Sequence, residues 1–216
     1  MARPKSRLGQ ILLGLLLSLG GANLPLSTWG ARIAGRGWLI GSELFWWLLV
    51  AVLLLYVVLI ERRPLSSIGL RRLRILDVVL AIITGVLMVV GVVIIYRFVF
   101  PAFHLKMNTA AMKSLIDTPF WYRFALVTRA AVAEETLFRG YPIERIEELS
   151  GSRWLAGVIA WAAFTYLHLG YWGWAQLIVA GFGGALLTVL YIWRRNLWAN
   201  MIAHWIADGA GFLLPG

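Results

Sequence analysis

The chain contains no cysteine, so disulfides, thiolate metal sites and cysteine nucleophiles are all excluded. Charge is scarce: 14% of the 216 residues are Asp, Glu, Lys or Arg, against about 25% in a soluble domain. Acidic residues are scarcer still, ten against twenty basic ones. No internal repeat, low-complexity tail or linker divides the sequence, so one membrane domain over residues 1–216 is expected. What fills the chain instead is apolar: 61% of residues are hydrophobic and the mean hydropathy is +0.79. The excess falls in runs near the ~20 residues that span a bilayer.

The net charge of +10 does not read as a nucleic-acid surface. The arginines and lysines cluster at the ends of apolar runs, where loop charges set membrane orientation. Their expected neighbours are anionic lipid headgroups. The 12 Trp and 7 Tyr suit interfacial belts. The expected fold is all-α, a polytopic transmembrane bundle of about seven helices in the cytoplasmic membrane.

Taken in order, residues 11–19 open a first helix running to about Trp29, although a cleaved signal peptide bears the same basic start and short apolar core. Arg32 and Arg36 lie in a glycine-rich connection. Residues 41–60 and 75–100 are strong spans, separated by a loop over 61–74 that carries five arginines. Residues 101–119 read as a mixed loop with a solvated His104. A long helix over 120–149 has a charged tail at 144–148 that is expected to reach water. Further helices are expected over 154–169, 171–193 and 197–214. With the amino terminus inside, inner segments 3–7, 62–74, 145–153 and 194–195 hold twelve basic residues and the outer ones hold four. That asymmetry puts the amino terminus in and the carboxyl terminus out if seven helices cross.

Residues 130–140, AAVAEETLFRG, place Glu134, Glu135 and Arg139 inside an otherwise apolar run. An ionisable group at membrane depth is costly and points to function, with a partner to be named. Arg139 follows Glu135 by four residues, which puts the two on one helical face. A self-neutralising pair that pins two helices is the plain structural alternative.

Depth along the helices supports convergence. Glu134 lies 17 residues before Gly151 and His168 lies 17 after it, so both sit roughly 25 Å of helix rise from the same turn. From Asn196, His204 is roughly 12 Å and Asp208 roughly 18 Å along the last helix. Phe164 and His168 share a face, as do His204 and Asp208, each pair being four residues apart. Glu134, Glu135, His168, His204 and Asp208 are therefore expected in one layer. Packing alone is a poor reason for five ionisable groups there.

The motifs Glu134-Glu135-x-x-x-Arg139, Phe164-x-x-x-His168 and His204-x-x-x-Asp208 resemble the three signature motifs of the CPBP family, also called Abi. That family comprises type II CAAX prenyl proteases and bacteriocin-processing or immunity relatives. The resemblance covers residues 120–214, the expected catalytic core, and more weakly the loop from Arg63 to Arg71. The third motif often ends in asparagine; Asp208 cannot offer an amide N–H to an oxyanion. The resemblance implies an intramembrane endopeptidase open to the cytosol. Its substrate would be a peptide or protein, lipidated or membrane-embedded.

In that reading Glu134 is the general base that activates water and His168 helps to hold the water. Glu135 pairs with Arg139. His204 stabilises the oxyanion, with Asp208 setting its tautomer. Phe164 is carried over as a substrate-binding residue. No serine or threonine stands at a matching position to act as nucleophile. A divalent metal such as zinc on Glu134, His168 and His204 is the other version, although the H-E-x-x-H pattern is absent. Two non-peptidase readings stand beside these. One is an immunity or scaffold protein that keeps the motif, and the other a proton-coupled transporter built on the same carboxylates and histidines.

Overall fold

Apolar runs of this length leave backbone groups little to bond but each other, and helix satisfies them within the segment. The computed structural model describes residues 4–24 and 38–214, and no strand occurs among them. The end of the first expected span at Trp29 and the connection holding Arg32 and Arg36 lie outside the described residues.

Among the described residues eight helices longer than one turn follow in order. Helix α1 is Pro4–Leu15, continued by a π-helical turn at Leu16–Gly20. Helix α2 is Trp38–Leu55, continued by a π-helical turn at Tyr56–Ile60. Helix α3 runs Ile75–Ile94, Ile95–Val99 and Phe100–Ala102. Helix α4, Thr109–Ile116, occupies part of the expected loop. Helix α5 runs Phe120–Glu135, a π-helical turn at Thr136–Gly140, and Tyr141–Ser150. Helices α6, α7 and α8 are Arg153–Leu167, Gln176–Arg194 and Leu197–Phe212. The expected helix over 171–193 starts later because Gly173, at φ +84°, breaks the chain before it. Three stretches are long and apolar enough to cross a membrane: Ile40–Ile60, Ile75–Ala102 and Gln176–Arg194.

Local chemistry sets the boundaries. Ser152 caps α6 by accepting from the Leu155 N–H at 3.3 Å, and Asn196 caps α8 by accepting from the Trp198 N–H at 3.1 Å. Gly151 adopts the left-handed conformation at the end of α5, which a glycine takes without steric cost. Inside α5, Pro142 has no N–H to give to the carbonyls one turn back. The helix widens there into the π-turn, and the freed Leu137 carbonyl accepts from the Ser18 hydroxyl of α1. One proline thus both opens the site-bearing helix and ties it to the first helix.

The four basic segments come together at one end of the bundle. Arg145 of α5 donates to Glu61 at 2.6 and 3.0 Å, both side chains are 2% exposed, and the Tyr141 hydroxyl joins them at 2.8 Å. Glu148 takes Arg63 at 2.6 Å and Arg7 at 2.8 Å. Arg194 meets Asp77 at 2.8 Å, and Arg195 meets Glu144 at 2.9 Å as well as Glu147. The charged tail of α5 is therefore clamped to neighbouring elements instead of projecting freely into water.

At the middle of the bundle, α8 lies against α3 and α5, and α7 lies against α6. Gly85 of α3 permits the first approach: a Cβ there would meet Ile206 at 2.8 Å. Gly184 of α7 permits the second, where a Cβ would meet the Phe164 ring at 2.8 Å.

Candidate active site

Glu135 is fully buried and its carboxylate has three partners. Arg139 donates to it at 2.9 Å, the Asn200 amide at 3.0 Å, and the His204 Nδ1 stands at 2.8 Å. Arg139 is as deeply buried, gives a second bond to the Gly184 carbonyl at 3.1 Å, and lies 4.0 Å over the Phe164 ring. Asn200 also donates to the Leu187 carbonyl at 2.7 Å. One carboxylate of α5 thereby binds α7 and α8 through charge-assisted hydrogen bonds, the strong kind.

His204 is held at both nitrogens. A carboxylate only accepts, so Nδ1 carries a proton toward Glu135. On the other side Nε2 lies 3.4 Å from Asp208, whose side chain is 26% exposed. Asp208, expected to set the ring's tautomer, stands at Nε2, and Glu135 makes the shorter contact at Nδ1.

His168 follows the last residue of α6, and its Nδ1 stands 2.9 Å from the Phe164 carbonyl. Its ring packs 4.7 Å from Phe164, and Phe164 packs 6.3 Å from His204 edge to face. Phe164 is thus the wedge between the two imidazoles. It is 3% exposed and covered by Arg139 and Phe138. Its ring is committed to packing and to orienting its neighbours.

Glu134 is one residue from Glu135 and differently placed. Its only ion-pair or hydrogen-bond partner among the described residues is Arg129, at 3.4 Å. Arg129 in turn is gripped by Glu43 of α2, with Nε to Oε2 at 3.1 Å and Nη2 to Oε1 at 3.3 Å, and lies 5.3 Å over Trp46. Sequence reasoning passed over Glu43, Arg129 and Asn200. Glu43 and Arg129 are nonetheless ionisable groups inside apolar helices, the same signal that singled out Glu134. Asn200 precedes His204 by four residues, one turn along the same face.

Contacts link Glu135 and Arg139 from α5, Phe164 and His168 at the end of α6, and His204 and Asp208 from α8, whereas the ion pair of Glu134 runs to Arg129. The proposed metal set does not fit this arrangement. Among the described residues no group of three His, Asp or Glu side chains gathers as a metal site. Both His204 nitrogens face carboxylates and the His168 Nδ1 faces a carbonyl.

The family model described as type II CAAX prenyl endopeptidase Rce1-like matches residues 116–210, which hold all three motifs, helices α5 to α7 and most of α8. No curated protein and no solved structure gives a match. The match implies a protease acting on a peptide or protein, and the three apolar helices agree with a membrane protein. Over residues 116–210 the chain is similar to the Rce1-like type II CAAX prenyl endopeptidases, the family to which its three motifs point.

Proposed function

We propose that this protein is an intramembrane endopeptidase that hydrolyses a peptide bond near the bilayer surface with a water activated by Glu134. The observation that carries the reading is the contrast between adjacent carboxylates. Glu135 is engaged by three partners, whereas Glu134 has one long contact and keeps lone pairs for a water. A general base must reach the proton it takes, and of the two carboxylates Glu134 is the one left free to do so.

The remaining groups take complementary parts. With Nδ1 of His168 donating to the Phe164 carbonyl, Nε2 is its acceptor and can hold the water's second proton. Glu134 removes one proton as the water oxygen bonds to the scissile carbonyl carbon. The oxyanion that forms faces Nε2–H of His204, which Glu135 orients and Asp208 flanks. The proton held by Glu134 then passes to the leaving nitrogen as the C–N bond breaks. Arg139, Asn200 and Phe164 keep this set rigid. The substrate is a peptide ending in a prenylated CAAX sequence, and the basic end of the bundle faces the cytosol.

The test is cleavage of a farnesylated CAAX peptide by the purified protein in liposomes. Glu134→Ala and His168→Ala are expected to abolish cleavage while the protein stays folded. Cleavage retained by Glu134→Ala would falsify the assignment.

A further inference from the structure

Glu134 is aimed by one side chain, and that side chain is aimed from outside the family-matched region. Every edge of the Arg129 guanidinium is occupied: Nε and Nη2 face Glu43, Nη1 faces Glu134, and the flat face rests 5.3 Å from Trp46. Glu43 and Trp46 both belong to α2, whereas the family match begins at residue 116. The three ion-paired side chains are nearly enclosed, with 13% of Glu43, 11% of Arg129 and 12% of Glu134 exposed. A planar guanidinium held along one edge has no freedom left at the other.

We infer that Glu43 is a positioning residue for peptide hydrolysis: it fixes Arg129, and Arg129 holds the Glu134 carboxylate at the angle from which it receives the water's proton. The inference rests on Glu134 being the base. It makes α2 part of the working site. Two considerations favour positioning over simple stabilisation. The Arg129–Glu134 contact of 3.4 Å is long for a charge-assisted bond, so Arg129 steers the carboxylate without saturating it. A free Glu134 would also have rotamers in which its oxygen leaves the reacting water, and misplacement of about 1 Å costs roughly 100-fold in rate.

The experiment measures kcat and KM for a farnesylated CAAX peptide with liposome-reconstituted wild type, E43Q, R129Q, E43Q/R129Q and E134A. Thermal unfolding is recorded on each. Positioning predicts that E43Q and R129Q each lower kcat about 10–100-fold with KM within twofold of wild type. The double variant is expected to be no slower than R129Q, because Glu43 acts only through Arg129. If E43Q fails to fold, the double variant serves in its place, since it removes the Glu43 and Arg129 charges together, and the same loss in kcat is expected. Unchanged kcat in E43Q or in the double variant overturns the inference, as does a double variant slowed by the product of the single effects. Activity surviving in E134A defeats the base assignment itself, a separate failure that these outcomes distinguish.

Discussion

Two ion-pair networks leave the same turn of α5 in different directions. The one built on Glu135 reaches α7 and α8 and gives its carboxylate three partners, Arg139, Asn200 and His204. The one built on Glu134 reaches α2 through Arg129 and Glu43 and leaves its carboxylate with a single long contact. The difference teaches how adjacent acids divide their work. A carboxylate with three partners ties helices together, and one with a single long contact keeps acceptor positions open. Substitutions that separate loss of fold from loss of turnover can break or sharpen that contrast.

The largest effect is expected at the Glu135 knot. Glu135→Ala strands the buried Arg139 guanidinium, and breaking a buried pair costs about 3–5 kcal/mol. Thermal unfolding in detergent should show a large drop for this variant; an unfolding midpoint equal to that of wild type would contradict the knot's structural role. His204→Ala comes next, through turnover: losing one oxyanion donor costs about 100–1,000-fold in kcat. Peptide cleavage rates measure this, and a variant as fast as wild type would remove His204 from the reaction.

Asn200→Ala should be milder. It deletes donors to Glu135 and to the Leu187 carbonyl, and leaving such a group unsatisfied costs about 1–3 kcal/mol. Chemical denaturation checks it. The smallest effect is expected at the charged end. The Arg63 hydrogen bond to Glu148 holds its carboxyl below the ordinary value of 4.5, outweighing partial burial. A lowered folded-state pKa contributes stability that is complete above the unfolded value and lost as pH falls through the folded one. This partly exposed pair is worth about 0.2–1 kcal/mol, so stability measured from pH 6 down to pH 3 should decline less in Glu148→Gln than in wild type.

Much of this contrast was open to the sequence. Spacing of four brought Glu135 to Arg139 and His204 to Asp208, and counting from the Gly151 turn put the acids and His168 at one height. The gathering of basic segments at one end also followed from where arginines stand between apolar runs. Other features depend on geometry that no spacing encodes. Glu43 and Arg129 are 86 residues apart and meet only because α2 packs on α5. The burial of Phe164 depends on Gly184 letting α7 approach closely, and the grip of Glu135 on His204 depends on which rotamer fills the space between α5 and α8. The eight residues of helix α4, TAAMKSLI, are too few to show a helical period against the mixed loop around them.

The most direct test compares Glu134→Gln with wild type in one liposome preparation, recording both turnover of a farnesylated CAAX peptide and the unfolding midpoint. Loss of a general base predicts turnover down by about 100–10,000-fold with the midpoint nearly unmoved. Turnover that persists while the midpoint holds would contradict the division of labour between the two glutamates.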